Sequence, residues 1–208
     1  MAVKKKPLLV VISSPSGTGK TTICKKILKK HPQYVRSVSF TTRERRKGEV
    51  NGRDYHFVNK DRFEKMKKRK QFAEWACVYG NYYGTPKRSI EKAKRQNKTL
   101  IMVIDVQGGS AIKRLYPESV LIFMLPPSLG ELKRRLKIRA TNKKDDLEKR
   151  LKSALKEISF WSNYDYVLVN SDLNQTVRDV ENIISAEKRK AKRFDINIWG
   201  RGQDKWRG

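Results

Sequence analysis

The run SSPSGTGKTT, residues 13 to 22, places glycines, a lysine and threonines in the order that cradles a triphosphate. It follows the apolar run LLVVI and precedes a stretch in which Ile23, Ile27 and Leu28 share one helix face. Backbone N–H groups from the turn Ser14, Pro15, Ser16, Gly17, Thr18, Gly19 and from the first helical turn, Lys20, Thr21, Thr22, can converge on phosphate oxygens. The positive end of the helix dipole aids them. Lys20 supplies a point charge for the β and γ phosphates, and the Thr21 hydroxyl can ligate Mg²⁺. A nucleoside triphosphate with Mg²⁺ is the expected ligand. The usual pattern opens on Gly, and Ser14 stands there instead.

A second constellation lies in SVSFTTRERRKGEVNGRDYHF, residues 37 to 57. Arg43 and Arg46 are three apart, and Tyr55 follows beyond a turn. Arginine forks grip phosphate bidentately and a tyrosine hydroxyl adds a neutral donor, so the three can hold one monophosphate. Taken alone, two arginines at this spacing in so basic a chain read as solvated surface. Glu74, Tyr82 and Tyr83 taken alone read as positions of alternating strands. Asp105 is better placed, because it ends an apolar run, and ligands sit at the carboxyl ends of strands in doubly wound sheets.

The elements that must position these groups follow an α/β rhythm of short apolar runs and amphipathic stretches. Strands are expected near Leu8 to Ser13, Tyr34 to Val38, Leu100 to Asp105, Val120 to Leu125 and Val167 to Asn170. Helices are expected near Lys20 to Lys30, Lys87 to Gln96, Ser110 to Tyr116, Leu129 to Ile138, Leu147 to Phe160 and Gln175 to Arg193. From about Ser39 to Gly84 the rhythm breaks into short aromatic strands, a basic helix near Lys60 to Lys70, and turns at Asn51-Gly52 and Gly80-Asn81. That stretch reads as an inserted lobe. The charged stretch from about Arg135 to Arg150 has little apolar surface to pin it and reads as a mobile lid.

The chain has 208 residues, with 49 Lys and Arg against 21 Asp and Glu, a formal charge of +28. This excess predicts attraction to polyanions without naming one. No apolar run approaches the roughly 18 residues of a membrane span. The start, MAVKKKP, does not read as a signal peptide. Cys24 and Cys77 form no CxxC pair, so neither a zinc site nor a disulfide framework is expected, and a cytoplasmic location is the default.

Five segments stand in order: the phosphate loop, SVSFTTRERRKGEVNGRDY, FAEWACVYGNYYGTP, IDVQG and YDYVLVNSDL. Together they resemble guanylate kinase, over about Leu8 to Glu187. The resemblance implies a P-loop nucleoside monophosphate kinase fold, with a parallel sheet core, helices on both faces, an inserted mixed α+β lobe and a mobile lid. The core would comprise residues 1–38, 85–134 and 151–187, the GMP-binding lobe 39–84, the lid 135–150 and a basic tail 188–208. It implies reversible transfer of the γ-phosphoryl group of ATP to GMP and dGMP in purine metabolism, with Mg²⁺. Arg43, Arg46, Tyr55 and Tyr83 would hold the GMP phosphate, with Glu49 orienting an arginine. Glu74, Asp105, Ser39 and Thr85 would read the base. An ionised Glu74 suits guanine because it accepts from N1–H and the 2-amino group, whereas the N1 acceptor of adenine would face its lone pairs. The hydroxyls of Ser39 and Thr85 would serve O6. Arg135, Arg139 and Arg150 would close over the triphosphate, with Lys20 and Arg43 completing the catalytic set, and Asn170 would lie near the adenine.

Two departures from the family pattern stand out. Val103 occupies a position where the family usually has an acid, and Ile138 and Ala140 flank Arg139 where glycines are common. A kinase for another monophosphate, a peptide-binding guanylate-kinase-like module and a nucleic-acid binder are the competing readings. The retained Gly17, Gly19, Lys20, Thr21, Arg135 and Arg150 argue against the second. Six basic residues assigned to phosphates leave most of the charge unexplained, clusters at Lys65 to Lys70 and Lys188 to Arg193 included. The surplus predicts weak, salt-sensitive association with polyanions such as RNA. A homodimer is left open.

Overall fold

The computed structural model describes residues 2–15, 17–139 and 144–197. In chain order the elements are β1 (Ala2–Lys5), β2 (Leu9–Ser13), α1 (Lys20–Lys30), β3 (Val35–Arg36), β4 (Phe40–Thr41) and β5 (His56–Phe57). Then come α2 (Lys60–Lys68), β6 (Phe72–Val78), β7 (Asn81–Pro86), α3 (Lys87–Arg95), β8 (Leu100–Val103) and α4 (Val106–Leu115). The chain continues through β9 (Val120–Leu125), α5 (Leu129–Arg139), α6 (Lys144–Ile158), β10 (Tyr166–Val169), α7 (Leu173–Glu187) and β11 (Phe194–Asn197).

The core is a five-stranded sheet in the order β10-β9-β2-β8-β3, with every neighbouring pair parallel. All of β2 is buried, which fits a central strand covered on both faces. Its alternation divides the core in two. Leu8, Val10 and Ile12 pack with Ile23 and Ile27 of α1 and with Val177, Val180 and Ile184 of α7. Leu9 and Val11 pack with Ile90 of α3 and Ile112 of α4. Because β8 and β9 flank β2 on opposite sides, the crevice at its carboxyl end is where such sheets bind ligands.

The inserted lobe carries a second sheet, in the order β5-β4-β7-β6. Its core is aromatic: the Phe63 ring stacks 4.6 Å from Phe72 and 5.3 Å from Tyr82. Tyr79 and Gly80 turn the β6–β7 hairpin with φ of 49° and 76°, the paired positive values that match strand twist.

Three expectations need correction. The helix expected from Ser110 begins at Val106, because Asp105 leaves the strand to cap it and accepts from the Gly108 N–H at 2.8 Å. The stretch read as unpinned, Arg135 to Arg150, joins the two helices expected on either side of it, and its Leu136 and Leu147 are drawn into an apolar cluster. Leu132 and Leu136 of α5 and Ala154 of α6 are fully buried together, with Leu147, Leu151 and Ile158 packed against them. Those leucines recur at helical spacing among the charges, a period masked by the composition.

The helix expected to reach Arg193 ends at Glu187, and the chain then returns as β11, which pairs antiparallel with β1. Arg193 is only 3% exposed: it donates to the Glu187 carbonyl at 2.9 Å and the Glu118 carbonyl at 2.8 Å, and faces the Glu187 carboxylate at 3.6 Å. Lys190 pairs with Glu187 at 2.5 Å and Lys192 with Glu118 at 3.5 Å. This basic cluster is therefore built into the fold. Trp199 and Trp206 lie outside the described residues.

Arg193→Ala leaves the buried Glu187 with one cation fewer and two carbonyls without their donor. It is expected to cost about 3 kcal/mol, read as a lowered urea midpoint with unchanged slope.

Candidate functional site

The loop between β2 and α1 is shaped by two glycines in the left-handed region, Gly17 at φ 92° and Gly19 at φ 95°. Gly19 is the N-cap of α1, and no side chain caps that helix. The first-turn N–H groups are thus kept for a ligand. The loop is fixed from behind. Asn170 donates to the Thr18 carbonyl at 2.6 Å and accepts from Thr176 at 3.0 Å, and a Cβ on Gly19 would sit 3.0 Å from its amide nitrogen. Asn170 is expected beside the adenine; here it is 5% exposed and holds the loop. Ser14 is likewise internal, accepting from Thr18 at 2.7 Å and from the Lys20 ammonium at 3.0 Å. The serine in place of the usual glycine thereby adds bonds inside the loop. The Lys20 ammonium also reaches the Ser14 carbonyl. Ser16 lies outside the described residues.

A continuous cleft of about 460 Å³ runs from this loop to the inserted lobe. Its lining includes Gly17 to Thr22 of the loop, Arg43, Arg46, Tyr55 and Tyr83, then Ser39 and Glu74, with Asp105 close enough to both Lys20 and Glu74 to feel their charges. The arginines expected to grip a monophosphate are preorganised by a carboxylate. Glu49 accepts from the Arg43 guanidinium at 2.8 and 3.0 Å and from the Arg46 backbone N–H at 2.9 Å. Burial would raise its pKa, but the bonds from Arg43 and Arg46 win and hold it low. The Arg43 guanidinium sits 5.6 Å over the Tyr55 ring, which meets Tyr83 edge-on at 6.0 Å.

Glu74 is 7% exposed and accepts from Thr85 at 2.5 Å. Burial pushes its pKa up to about 7, with the Asp105 charge adding to the rise and the Thr85 hydrogen bond opposing it. The Thr85 hydroxyl has one proton, and it goes to Glu74. Of the two hydroxyls expected at O6, Ser39 is the one that lines the cleft. Burial also raises the pKa of Asp105, against the bonds from Gly108 and Gln107 and the charge of Lys20.

The three expected lid arginines differ in position. Arg150 lines the cleft. Arg135 packs its backbone and Cβ against Gly17, while its guanidinium donates to Glu131 at 2.6 Å. The Arg139 side chain lies outside the described residues.

Sequence reasoning missed Ala76, Val78, Tyr79, Asn81 and Glu157, which also line the cleft. Ala76 and Val78 follow Glu74 at the two-residue period of β6, and Glu157 follows Arg150 by seven residues on α6, so spacing could have found them. Among the described residues no three His, Cys, Asp or Glu gather as a metal cage. The exposed Thr21 hydroxyl at the cleft fits a cation held chiefly by phosphates and water.

Comparisons with known proteins agree with this geometry. The sequence model of the guanylate kinase family matches residues 5–187. A guanylate kinase of Carboxydothermus hydrogenoformans is 45% identical over 193 residues, 93% of this chain and 95% of that protein. One of Caldanaerobacter subterraneus subsp. tengcongensis is 44% identical over 188 residues, 90% and 91% of the two chains. The crystal structure of a guanylate kinase from Anaplasma phagocytophilum superposes with a TM-score of 0.79 at 37% identity, covering 92% of each chain.

A Cβ on Gly108 would stand 2.8 Å from the Glu74 carboxylate. Gly108→Ala is expected to displace Glu74 and raise the KM of the base-end substrate at least fivefold, leaving ATP binding unchanged. Steady-state kinetics and equilibrium binding of a fluorescent ATP analogue read both.

Proposed function

The chain belongs to the guanylate kinase family and transfers the γ-phosphoryl group of ATP to GMP, and from that premise we propose which residues of this cleft carry the reaction. The observation that carries the assignment is the single cleft joining the phosphate loop to Glu74, with the Arg43, Arg46, Tyr55 and Tyr83 grip between them. ATP occupies the loop end, with its phosphates on the N–H groups of Gly17 to Thr22 and on Lys20. GMP, or dGMP, occupies the lobe end.

Guanine is read by ionised Glu74, which accepts from N1–H and the 2-amino group, while Ser39 serves O6. Thr85 acts through Glu74, fixing its orientation. Asp105 stands between the two ends, close enough to Glu74 and to Lys20 to feel both charges. Arg43 and Arg46, aimed by Glu49, hold the GMP phosphate with Tyr55 and Tyr83. An oxygen of that phosphate then attacks the γ-phosphorus in line, forming a P–O bond as the bond to the ADP oxygen breaks. No general base is required, since a phosphate monoester has its second pKa near 6. The work left to the protein is alignment and charge neutralisation, by Lys20, Arg43 and Arg150 with Arg135 and Arg139 from the lid. Asn170 contributes through the loop it supports. Thr21 would hold Mg²⁺ together with the nucleotide phosphates. When bound, the cation neutralises charge on the β and γ oxygens.

A cytoplasmic location is proposed, where the two thiols, Cys24 and Cys77, would stay free as they are here. No described helix is long and apolar enough to cross a membrane. A groove beside the edge strand β3 is lined by Arg36, Arg88, Lys92 and Arg95, with no carboxylate among its described lining. It supports weak association with polyanions such as RNA, apart from catalysis. Changing Arg88, Lys92 and Arg95 together to Ala is expected to lower the salt at which the protein leaves heparin, with kcat unchanged.

The function is tested by ADP release with GMP, dGMP, AMP and UMP. Turnover is expected with the guanine nucleotides, and Glu74→Gln should lower kcat/KM for GMP about 100-fold while leaving ATP binding intact. Comparable turnover of AMP would sink the base assignment. Because Glu74 sits near 7 in the free protein, it is mostly protonated at pH 6 and mostly ionised at pH 8. KM for GMP should therefore fall about tenfold across that range. In Glu74→Gln only the slope due to the substrate phosphate should remain.

A further inference from the structure

Three carboxylates line the cleft: Glu74, Asp105 and Glu157. The first two are engaged, Glu74 by the Thr85 hydroxyl and Asp105 by the Gly108 N–H at the cap of α4. Glu157 accepts from Ser153, four residues earlier on its own helix, at a long 3.4 Å. An ionised carboxylate offers about four acceptor positions, so most of its capacity faces the cleft. It stands on the triphosphate side. It lies two helical turns from Arg150 on α6, and both line the same cleft as Gly17 to Thr22. Burial raises its pKa, the Lys20 ammonium opposes the rise and Asp105 adds to it as a like charge, so the carboxyl is held above its usual range until a cation joins it.

Two carboxylates that line one cleft with a phosphate loop, and are close enough to repel one another, gain from a cation between them. Mg²⁺ dehydrates reluctantly, keeps several waters, and is held through those waters by one or two carboxylates beside nucleotide phosphates. The end of β8 offers Asp105 to the same cleft and, two residues earlier, Val103, which also lines it but whose side chain accepts nothing. With Glu74 engaged by Thr85, Glu157 of α6 is the carboxylate among the described lining that could join Asp105 at a hydrated cation beside Thr21.

We propose that Glu157 is a positioning residue for Mg·ATP, accepting hydrogen bonds from the cation's waters opposite Asp105, so that the α5–α6 hairpin completes the metal shell. This rests on the kinase reading above. It assigns the hairpin a role in metal retention in addition to the charge of its arginines.

The test is equilibrium binding of a fluorescent ATP analogue to the full chain, titrated with Mg²⁺ or held in EDTA, for wild type and Glu157→Gln. In EDTA the variant should bind ATP as tightly as wild type or tighter, since a negative charge beside the phosphates is gone. With Mg²⁺ the concentration needed for half-saturation should rise about tenfold, as loss of an outer-shell partner does. Glu157→Asp, which keeps the charge on a shorter stem, should fall between the two and serves as the probe if the Gln variant does not fold. Equal weakening with and without Mg²⁺ would reduce Glu157 to a structural residue and overturn the proposal. So would an unchanged Mg²⁺ requirement. Failure of wild type to release ADP with GMP would instead remove the kinase reading itself.

Discussion

Like-charge repulsion is the constraint on which the rest of this structure depends. Two phosphorylated nucleotides must bring a phosphate oxygen to within bonding distance of another phosphorus, and each carries negative charge to that point. Water would screen the repulsion but would also accept the phosphoryl group. The fold answers with cations and N–H groups aimed in advance from different elements: the uncapped start of α1, Lys20 within the loop, Arg43 and Arg46 from the inserted lobe, and Arg150 from α6. Concentrated positive charge needs its own restraint. Glu49 supplies it at Arg43 and Glu131 at Arg135, so these guanidiniums are ordered before substrate arrives.

The same reasoning explains why carboxylates appear at all in a cleft built for anions. In the proposed reading Glu74 meets the nucleobase rather than a phosphate, and Thr85 and the close backbone of Gly108 fix its orientation. Burial raises the cost of its charge, and the base offsets that cost by donating to it. A base that cannot donate leaves the carboxylate unpaired, which is a stronger filter than size or shape. Asp105 is shared between two tasks, capping α4 and lining the cleft, so it is less free than its place at the end of a strand suggests.

Much of this was legible in the sequence for physical reasons. The β2 run and α1 are strongly periodic and lie where the phosphate loop demands a strand and a helix, and α1 spans the expected residues. The proposed grip of Arg43, Arg46, Tyr55 and Tyr83 came from the resemblance, because the first three lie in the β4–β5 connection and Tyr83 in β7, and only folding brings them together. The helices α5 and α6 were expected, but composition misled about the charged stretch between them, where Leu136 and Leu147 join an apolar cluster, and about the tail, where Arg193 is a buried tie. Glu157 was invisible because its partners across the cleft are distant in sequence, although its spacing from Arg150 carried a signal. The hydroxyl of Thr85 illustrates a finer limit: its residue type suits the base, but its proton is spent on a neighbour.

The central claim is that one cleft holds ATP and GMP together with their phosphates abutting. It is tested most directly by calorimetric titration with adenosine and guanosine joined 5′ to 5′ through five phosphates. Linking two ligands turns the second binding event into an intramolecular one. The account predicts one-to-one binding at least 100-fold tighter than ATP or GMP alone, and much weaker binding of the analogue carrying two adenosines. Binding no tighter than that of ATP, or equal binding of the two analogues, would contradict it.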